Sequence, residues 1–334
     1  MEGRGTRSVE KTLRKVLLLS ILTFIVLVYL IFKSISLKEL LKSLKPIWFL
    51  ILFINMDVVI LLNAFKFKEL VRSLNSNISY ADSLKIVLSS VFASNITPYY
   101  SGGIATQMYL LKKIKSDFNS STLVSISYTI LTVIVSLIFA VIFFILPHHF
   151  IKGIRGNFLL SIIALAFALS SLALFFMVNP EKTKNFIKLM IKKLNLKINE
   201  TQIILEVDAF SDGLRFILKN PLNLTKLILI SFVSQLLYEM IGLTSLKAIG
   251  VNFNFYEAFL TQIASNFIAT IGITPGGMGI VEGSYLLLFL PIAKNFAPLQ
   301  TFLFRMFSYY IPSLIGALVF YRTLGSFYSE FLYK

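Results

Sequence analysis

Two segments combine proline, adjacent glycines and small polar residues in a pattern that lets a helix stop and restart. Proline lacks a backbone N–H and glycine adopts positive φ, so the chain can leave helical geometry in both segments. A helix that restarts there presents unpaired N–H groups, which attract a phosphate or carboxylate. Alternatively, the glycines only allow two helices to cross closely. The candidate binding residues are Asn95, Pro98, Gly102 and Gly103 in the first segment, and Thr274, Pro275, Gly276, Gly277 and Gly279 in the second.

Four ionisable residues, Asp57, Glu239, Glu282 and Arg305, lie within apolar stretches. Charges in such places are costly and are usually paired or face a cavity. We expect Glu282 to pair with Arg305 beside the second break, which leaves one or both able to engage an anionic or zwitterionic head group. The alternatives are that Glu282 only complements its helix N-terminus and that Arg305 only extends to the outer interface. For Asp57, two interpretations are equally well supported: a carboxylate with a structural hydrogen-bonding role, and a proton carrier.

The composition excludes a soluble globular protein. The chain has 334 residues, of which 56% are hydrophobic and 14% charged, and its mean hydropathy is +0.80. A soluble domain has about a quarter of its residues charged. We therefore predict an all-α polytopic integral membrane protein with about six spanning helices. The predicted spans are 16–32, 47–65, 121–146, 158–178, 222–246 and 299–322.

The two broken elements, 84–111 and 256–293, are predicted to be re-entrant helical hairpins. The apolar stretch before the first break, 84–97, is 14 residues long, or roughly 21 Å as a helix. The hydrocarbon core is roughly 30 Å thick, so neither arm of this element crosses it comfortably. The alternative is a pair of short, kinked spanning helices.

The basic residues predict the orientation. The formal net charge is +16. With the N-terminus inside, the inner segments hold about 21 Lys and Arg and the outer segments about 7, which places both termini in the cytoplasm. The predicted organisation is one transmembrane domain, 1–334, with a first half at 1–178, a cytoplasmic amphipathic surface segment at 179–221 and a second half at 222–334.

The breaks also resemble each other, because Ser94-Asn95 and Ser265-Asn266 each precede an Ile-Thr-Pro and a Gly-Gly pair. This likeness is either a chance match or the result of an internal duplication, in which case the two halves form an inverted repeat. In the second case a site near the midplane is expected where the broken helices meet.

Three features resemble a known family. They are Asn95, Pro98, Gly102 and Gly103 in the first half, the run Thr274–Glu282, and Arg305 followed by Tyr309, Tyr310 and Pro312. Together they are similar to the membrane region of lysylphosphatidylglycerol synthases and their stand-alone flippase-like relatives. This resemblance implies a cytoplasmic-membrane protein that handles phospholipid or lipid-linked substrates. It also implies that the soluble domain that transfers lysine to lipid in the full synthases is missing, because the chain stops about 12 residues after its last span.

We therefore expect a flippase-like membrane protein, not an enzyme, that binds and translocates phospholipid or a lipid-linked substrate. Anionic phospholipid head groups are the expected partners, and nucleic acid is not. The alternatives are a membrane-embedded lipid-modifying transferase and a scaffold subunit of a separately encoded lipid-modifying enzyme. The chain has no cysteine and two histidines, and we expect neither a cofactor nor a metal site.

Overall fold

The computed structural model describes residues 2–74, 76–114, 118–146, 179–194, 200–219, 221–269 and 274–332, with a few helical positions between 161 and 172. All regular structure in these residues is helical, as the apolar blocks predict. The helices are α1 Glu2–Ser34, α2 Leu37–Ser43, α3 Pro46–Arg72, α4 Tyr80–Asn95, α5 Ser101–Ile114, α6 Phe118–Ile145, α7 Pro180–Leu194, α8 Glu200–Leu218, α9 Pro221–Ala248, α10 Phe255–Ala269, α11 Ile280–Ala293, α12 Ala297–Arg305 and α13 Ile311–Leu332.

Within the described residues, four helical stretches are long and apolar enough to cross a bilayer: Pro46–Arg72, Ser120–Ile145, Pro221–Ala248 and Pro275–Thr323. The pair Leu18–Ser34 and Leu37–Ser43, bent by 97°, would make a fifth. A multi-pass membrane protein is therefore confirmed. These stretches cover all or nearly all of five of the six predicted spans, and the sixth, 158–178, lies largely outside the described residues.

Both broken elements fold back on themselves as antiparallel helical hairpins. In the first, α4 and α5 face each other, and Gln107 Nε2 lies 3.3 Å from Ser90 Oγ. In the second, α10 and α11 face each other, and Gln262 Nε2 donates to Tyr285 Oη at 2.6 Å. The first hairpin is longer than predicted, because Ser79 caps α4 by accepting from Asp82 N at 3.0 Å. An N-cap of this kind starts the helix four residues before the apolar run.

A π-helical segment, Met306–Tyr310, joins α12 to α13. The predicted last span thus consists of two α-helices with a wider turn between them. Helix α13 packs against α4 of the first hairpin, and Gly316 allows this approach because a Cβ there would overlap the carbonyl oxygen of Leu88. The chain that follows the second hairpin therefore packs directly against the first hairpin through α13.

The segment 179–221, predicted to be a cytoplasmic amphipathic surface segment, contains two helices, α7 and α8. Lys184 Nζ on α7 lies 2.6 Å from Asp208 Oδ1 on α8, and it also contacts Glu181 at 3.3 Å. The hydrogen bond to Asp208 raises the pKa of the Lys184 ammonium group. Helix α8 packs against α6, so this ion pair ties the lysine-rich α7 to the helical bundle.

Candidate functional site

The tips of the two hairpins meet. The short 3₁₀ turns Pro98–Tyr100 and Pro275–Gly277 are in contact. A Cβ placed on Gly276 would lie 3.0 Å from the carbonyl oxygen of Asn95, and one placed on Gly277 would lie 2.9 Å from Tyr100 Oη. The two breaks predicted from the sequence therefore form one junction, although they are far apart along the chain.

At the first tip, the candidate residues shape the hairpin. Asn95 is buried and its Nδ2 donates to Ser313 Oγ on α13 at 2.7 Å. Pro98 is exposed and begins the turn. Gly102 N donates to Thr97 Oγ1 at 2.8 Å, and Gly103 lies against Ser94, whose Oγ a Cβ would overlap. The glycines here therefore bring α4 and α5 close together, as the close-crossing alternative predicted.

Two tyrosines at the same tip adopt a conformation that side chains rarely take. Tyr99 has φ +53° and Tyr100 has φ +56°. The left-handed region costs roughly 1–2 kcal/mol per residue for L-amino acids, so contacts made by the tip must offset this strain. Tyr99 is 67% exposed, whereas Tyr100 points toward Gly277 and the interior. Strain of this kind is concentrated at functional sites in proteins.

The second tip uses most of its own backbone donors. Gly277 N donates to Thr274 O at 2.9 Å, Met278 N donates to Pro275 O at 3.3 Å, and Thr274 Oγ1 donates back to Met278 O at 2.8 Å. Gly279 N, with φ +85° at that residue, donates to Glu282 Oε2 at 2.7 Å. These four groups are satisfied within the tip, so the expected row of unpaired N–H groups is not available at residues 277–279.

The predicted pair of Glu282 and Arg305 is present. Arg305 Nε lies 2.7 Å from Glu282 Oε1, and both side chains are almost fully buried. Helix α11 begins beside the tip and places Glu282 in its first turn, while α12 ends at Arg305. Glu282 therefore complements its own helix N-terminus and pairs with Arg305 as well. The alternative in which Arg305 extends to the interface is wrong.

Arg305 retains hydrogen-bonding capacity despite this pair. Its Nε–H is poorly aligned with the nearby oxygen, and neither Nε nor Nη2 has a hydrogen-bond partner among the described residues. The guanidinium carbon lies 4.1 Å from the centre of the Tyr309 ring and 6.0 Å from that of Tyr310. A buried donor without a partner costs free energy, so a ligand oxygen at this position would relieve that cost.

Glu239 occupies a separate polar cluster nearby. Its carboxylate accepts from Gln235 Nε2 at 2.7 Å and from Asn266 Nδ2 at 2.6 Å. Asn266 belongs to the second hairpin and its Oδ1 also accepts from Tyr285 Oη at 2.5 Å. A cavity of about 190 Å³ adjoins this cluster and is lined by Tyr100, Ser136, Phe139, Gln235, Tyr238, Glu239, Ile263, Asn266, Phe267 and Ala269.

Asp57 lies elsewhere. It is exposed on α3, beside the exposed apolar residues Phe53, Ile54 and Leu61. It therefore belongs neither to the hairpin junction nor to the Glu239 cluster.

Lys66 directly follows the predicted span 47–65 and is buried inside the protein. It is 2% exposed, its Nζ donates to Thr132 Oγ1 at 3.1 Å, and the ammonium lies 3.9 Å from the centre of the Tyr128 ring. Helix α3 continues to Arg72, so Lys66 lies inside the helix.

Tyr100, Tyr238 and Tyr285 were not among the predicted site residues, and Tyr309 was named only for the family resemblance. Tyr100 and Tyr309 contact the junction, Tyr100 and Tyr238 line the cavity, and Tyr285 donates to Asn266 of the Glu239 cluster. One signal was available for Tyr309, because it follows Arg305 by four residues and therefore lies on the same helical face.

The fold and the site define a multi-pass helical membrane protein with two broken helical hairpins whose tips meet beside a buried ion pair. Residues 17–316 match the family described as the lysylphosphatidylglycerol synthase TM region. The chain belongs to this family. It is also 27% identical to the UPF0104 membrane protein PH1989 of Pyrococcus horikoshii, with 92% of this chain and 96% of that protein covered. A UPF0104 membrane protein of Archaeoglobus fulgidus is 25% identical, with 77% and 81% covered.

Proposed function

We propose that this protein is a flippase-like membrane protein that binds phospholipid or a lipid-linked substrate and moves it across the cytoplasmic membrane. The observation that supports this most directly is Arg305, a buried guanidinium with N–H groups that have no hydrogen-bond partner among the described residues. Glu282 offsets the positive charge of Arg305 but does not accept a hydrogen bond from Arg305 Nη2. A phosphate oxygen of an anionic head group suits these donors, because guanidinium groups bind phosphate at short distance and in fixed geometry.

The junction of the hairpins supports a site near mid-membrane. In the orientation predicted from the basic residues, with both termini in the cytoplasm, the first hairpin enters from inside and the second from outside. Tips that approach from opposite sides and touch are the arrangement expected of an inverted repeat. Each tip begins with a proline and contains residues of positive φ, Tyr99 and Tyr100 in one, Gly276 and Gly277 in the other. These likenesses support a duplication.

The proposal also accounts for the close packing of the tips. Non-helical backbone at membrane depth persists only where protein or water satisfies it, and the second tip satisfies its own donors. The two tips therefore form a stable barrier between the two sides. Movement of a head group past Arg305 requires them to separate, and the strained Tyr99–Tyr100 turn is where the first hairpin changes conformation most readily.

The test is lipid movement in proteoliposomes of the purified protein, each containing one fluorescent lipid with a phosphatidylglycerol, phosphatidylethanolamine, phosphatidylcholine or lipid-linked phosphate head group. Dithionite bleaches only the outer leaflet, so a moving lipid is bleached beyond one half. We expect this for at least one phosphate-bearing lipid, with loss in Arg305→Gln. Arg322→Gln, which removes an exposed arginine of α13, is the matched control and should retain activity. Bleaching that stops at one half for every lipid, with intact protein, would contradict the proposal.

A purified protein that instead changes the lipid chemically would favour the transferase alternative. Mass spectrometry of the same vesicles before and after incubation distinguishes the two outcomes. A scaffold role predicts neither movement nor chemistry, and stable co-purification with a separate lipid-modifying enzyme.

A further inference from the structure

Glu239 differs from the other buried carboxylates of the described residues. Three glutamates are buried there: Glu69, Glu239 and Glu282. Glu69 lies 2.6 Å from Lys226 Nζ, and Glu282 lies 2.7 Å from Arg305 Nε. Glu239 is the most deeply buried, at 1% exposed, and its hydrogen-bond partners in the described residues are the neutral amides of Gln235 and Asn266. A buried carboxylate without a cationic partner favours uptake of a proton or another cation.

The surroundings suit a proton. The adjoining cavity of about 190 Å³ is large enough to hold several water molecules, and water in this cavity would deliver a proton to the carboxylate. A third amide, Gln262, also lies beside the carboxylate. Its Oε1 is a buried acceptor with no hydrogen-bond donor in the described residues. Rotation of this amide would give up its hydrogen bond to Tyr285 Oη and present the acceptor to Glu239, and a protonated Glu239 would supply the donor that the cluster lacks.

Tyr238 and Tyr285 each lie close to both Glu239 and Arg305, so the Glu239 cluster and the ion pair share one buried, low-dielectric region. With Glu239 ionised, the three groups Glu239, Glu282 and Arg305 carry a net charge of −1. An anionic head group at Arg305 makes this −2, and protonation of Glu239 restores −1. Two negative charges in low-dielectric surroundings repel each other strongly. An anionic head group at Arg305 therefore favours the protonated form of Glu239.

The other ionisable groups around Glu239 do not cancel this effect. Among the described residues, the ones that face it are the phenols Tyr238 on its own helix, Tyr100 of the first hairpin tip and Tyr285 of α11, with the Arg305 guanidinium beyond them. Helix α6 contributes Ser136 and Phe139 to the cavity. The phenols are neutral at physiological pH, and Arg305 is already paired with Glu282.

We propose that Glu239 is a proton-binding site coupled to the head-group site at Arg305, so that an anionic lipid and a proton bind together. This inference rests on the proposed function and adds the coupling ion to it. Coupling is reciprocal: the lipid increases the affinity of Glu239 for a proton, and acid increases the affinity of the protein for the lipid by the same factor. Couplings of this type are typically 5–150-fold.

The experiment measures both binding events on the full-length protein in detergent. Phosphatidylglycerol is titrated into weakly buffered protein, and proton uptake is followed with a soluble pH indicator. Lipid affinity is measured in parallel from acid to alkaline pH. We expect uptake of up to about one proton per protein, and an affinity that falls at least about 5-fold with rising pH. Glu239→Gln should bind lipid with nearly pH-independent affinity and take up no proton. Glu257→Gln, a partly exposed glutamate of α10, is the control and should behave as the wild type does.

A measurement on the wild type guards against a variant that fails to fold. Infrared difference spectroscopy should show the carbonyl stretch of a protonated carboxylic acid when lipid is added. Lipid binding without proton uptake and without this band would overturn the coupling and leave the proposed function intact. Undiminished uptake by a folded Glu239→Gln would also overturn it. Failure of the wild type to bind any lipid at any pH would overturn both proposals.

Discussion

Glu282 and Arg305 form a buried pair in which one carboxylate oxygen of Glu282 lies 2.7 Å from Arg305 Nε while the other accepts from Gly279 N, also at 2.7 Å. One carboxylate thus fixes the start of α11 and offsets the arginine at the end of α12. The hairpin tip and the end of α12 are therefore held to each other by a single side chain.

This relationship predicts non-additive substitutions. Glu282→Gln leaves Arg305 charged and unpaired, and Arg305→Gln leaves the Glu282 carboxylate charged and unpaired. Each single substitution should therefore lower the free energy of unfolding by about 3–5 kcal/mol. The double substitution leaves no unpaired charge and should cost less than the sum of the two. Thermal unfolding of the four proteins in one detergent, followed by circular dichroism, measures the cycle. Strictly additive losses would show that the two side chains do not stabilise each other.

The glycines of α11 and its tip offer a matched comparison. Gly276 has φ +60°, and a Cβ there would overlap the Tyr309 ring, so Gly276→Ala should destabilise the junction. The left-handed backbone alone costs about 1–2 kcal/mol. Gly283, inside α11, has open space where a side chain would begin, because no heavy atom beyond its own stretch of helix lies within 4 Å of the place a Cβ would occupy. Gly283→Ala should stabilise by about 0.5–1 kcal/mol, because alanine favours a helix interior over glycine.

Midpoints of thermal unfolding compare the two variants, and lipid movement should be lost only in Gly276→Ala. Equal behaviour of the two alanine variants would rule out the close contact between Gly276 and Tyr309.

The proposed orientation can be tested directly because the natural chain has no cysteine. Lys38→Cys in α2 and Lys188→Cys in α7 both replace exposed lysines. A membrane-impermeant maleimide should label position 38 in intact cells and position 188 only after the cells are opened. The physical reason is the excess of basic residues in the segments assigned to the inside. The reverse pattern of labelling would invert the orientation and exchange the entry sides of the two hairpins.

The tie between α7 and α8 should depend on pH in a defined direction. Asp208 raises the pKa of Lys184 above its ordinary value of 10.5. A group whose folded pKa is raised contributes fully below its ordinary pKa, and this contribution is lost as the pH rises through the raised value. We therefore expect α7 to separate from α8 in strong alkali, and at neutral pH in Asp208→Asn.

Spin labels at Asn185→Cys and Thr201→Cys report the distance between these helices. Asp212→Asn is the control, because Asp212 contacts Arg215 on its own helix at 4.0 Å. The distance between the two labels in Asp212→Asn should equal the distance in the labelled protein without a further substitution. A change as large as that in Asp208→Asn would show that the Lys184–Asp208 ion pair does not specifically hold α7 to α8.

The sequence predicted local features better than contacts between distant segments. Pro98 and Pro275 marked the two breaks because their effect on the backbone is local, and the Glu282–Arg305 pair followed from the cost of an unpaired charge. The meeting of Tyr100 with Gly277 and the burial of Lys66 against Tyr128 were not predictable. Both depend on how helices pack, and a tyrosine or lysine in an apolar run has the same local pattern whichever way it faces.

The π-helical turn at Met306–Tyr310 separates Arg305 from α13. A π turn holds one residue more than an α turn, so it rotates everything before it by about 100° relative to everything after it. Arg305 faces Glu282, while Ser313, eight residues later, faces Asn95 in the other hairpin. Deleting one residue from this turn would swing one of these two contacts to another side of the helix. The segment α12–π turn–α13 therefore fixes the rotation of one hairpin relative to the other. Any redesigned or grafted version of this protein must keep the number of residues in the π turn unchanged.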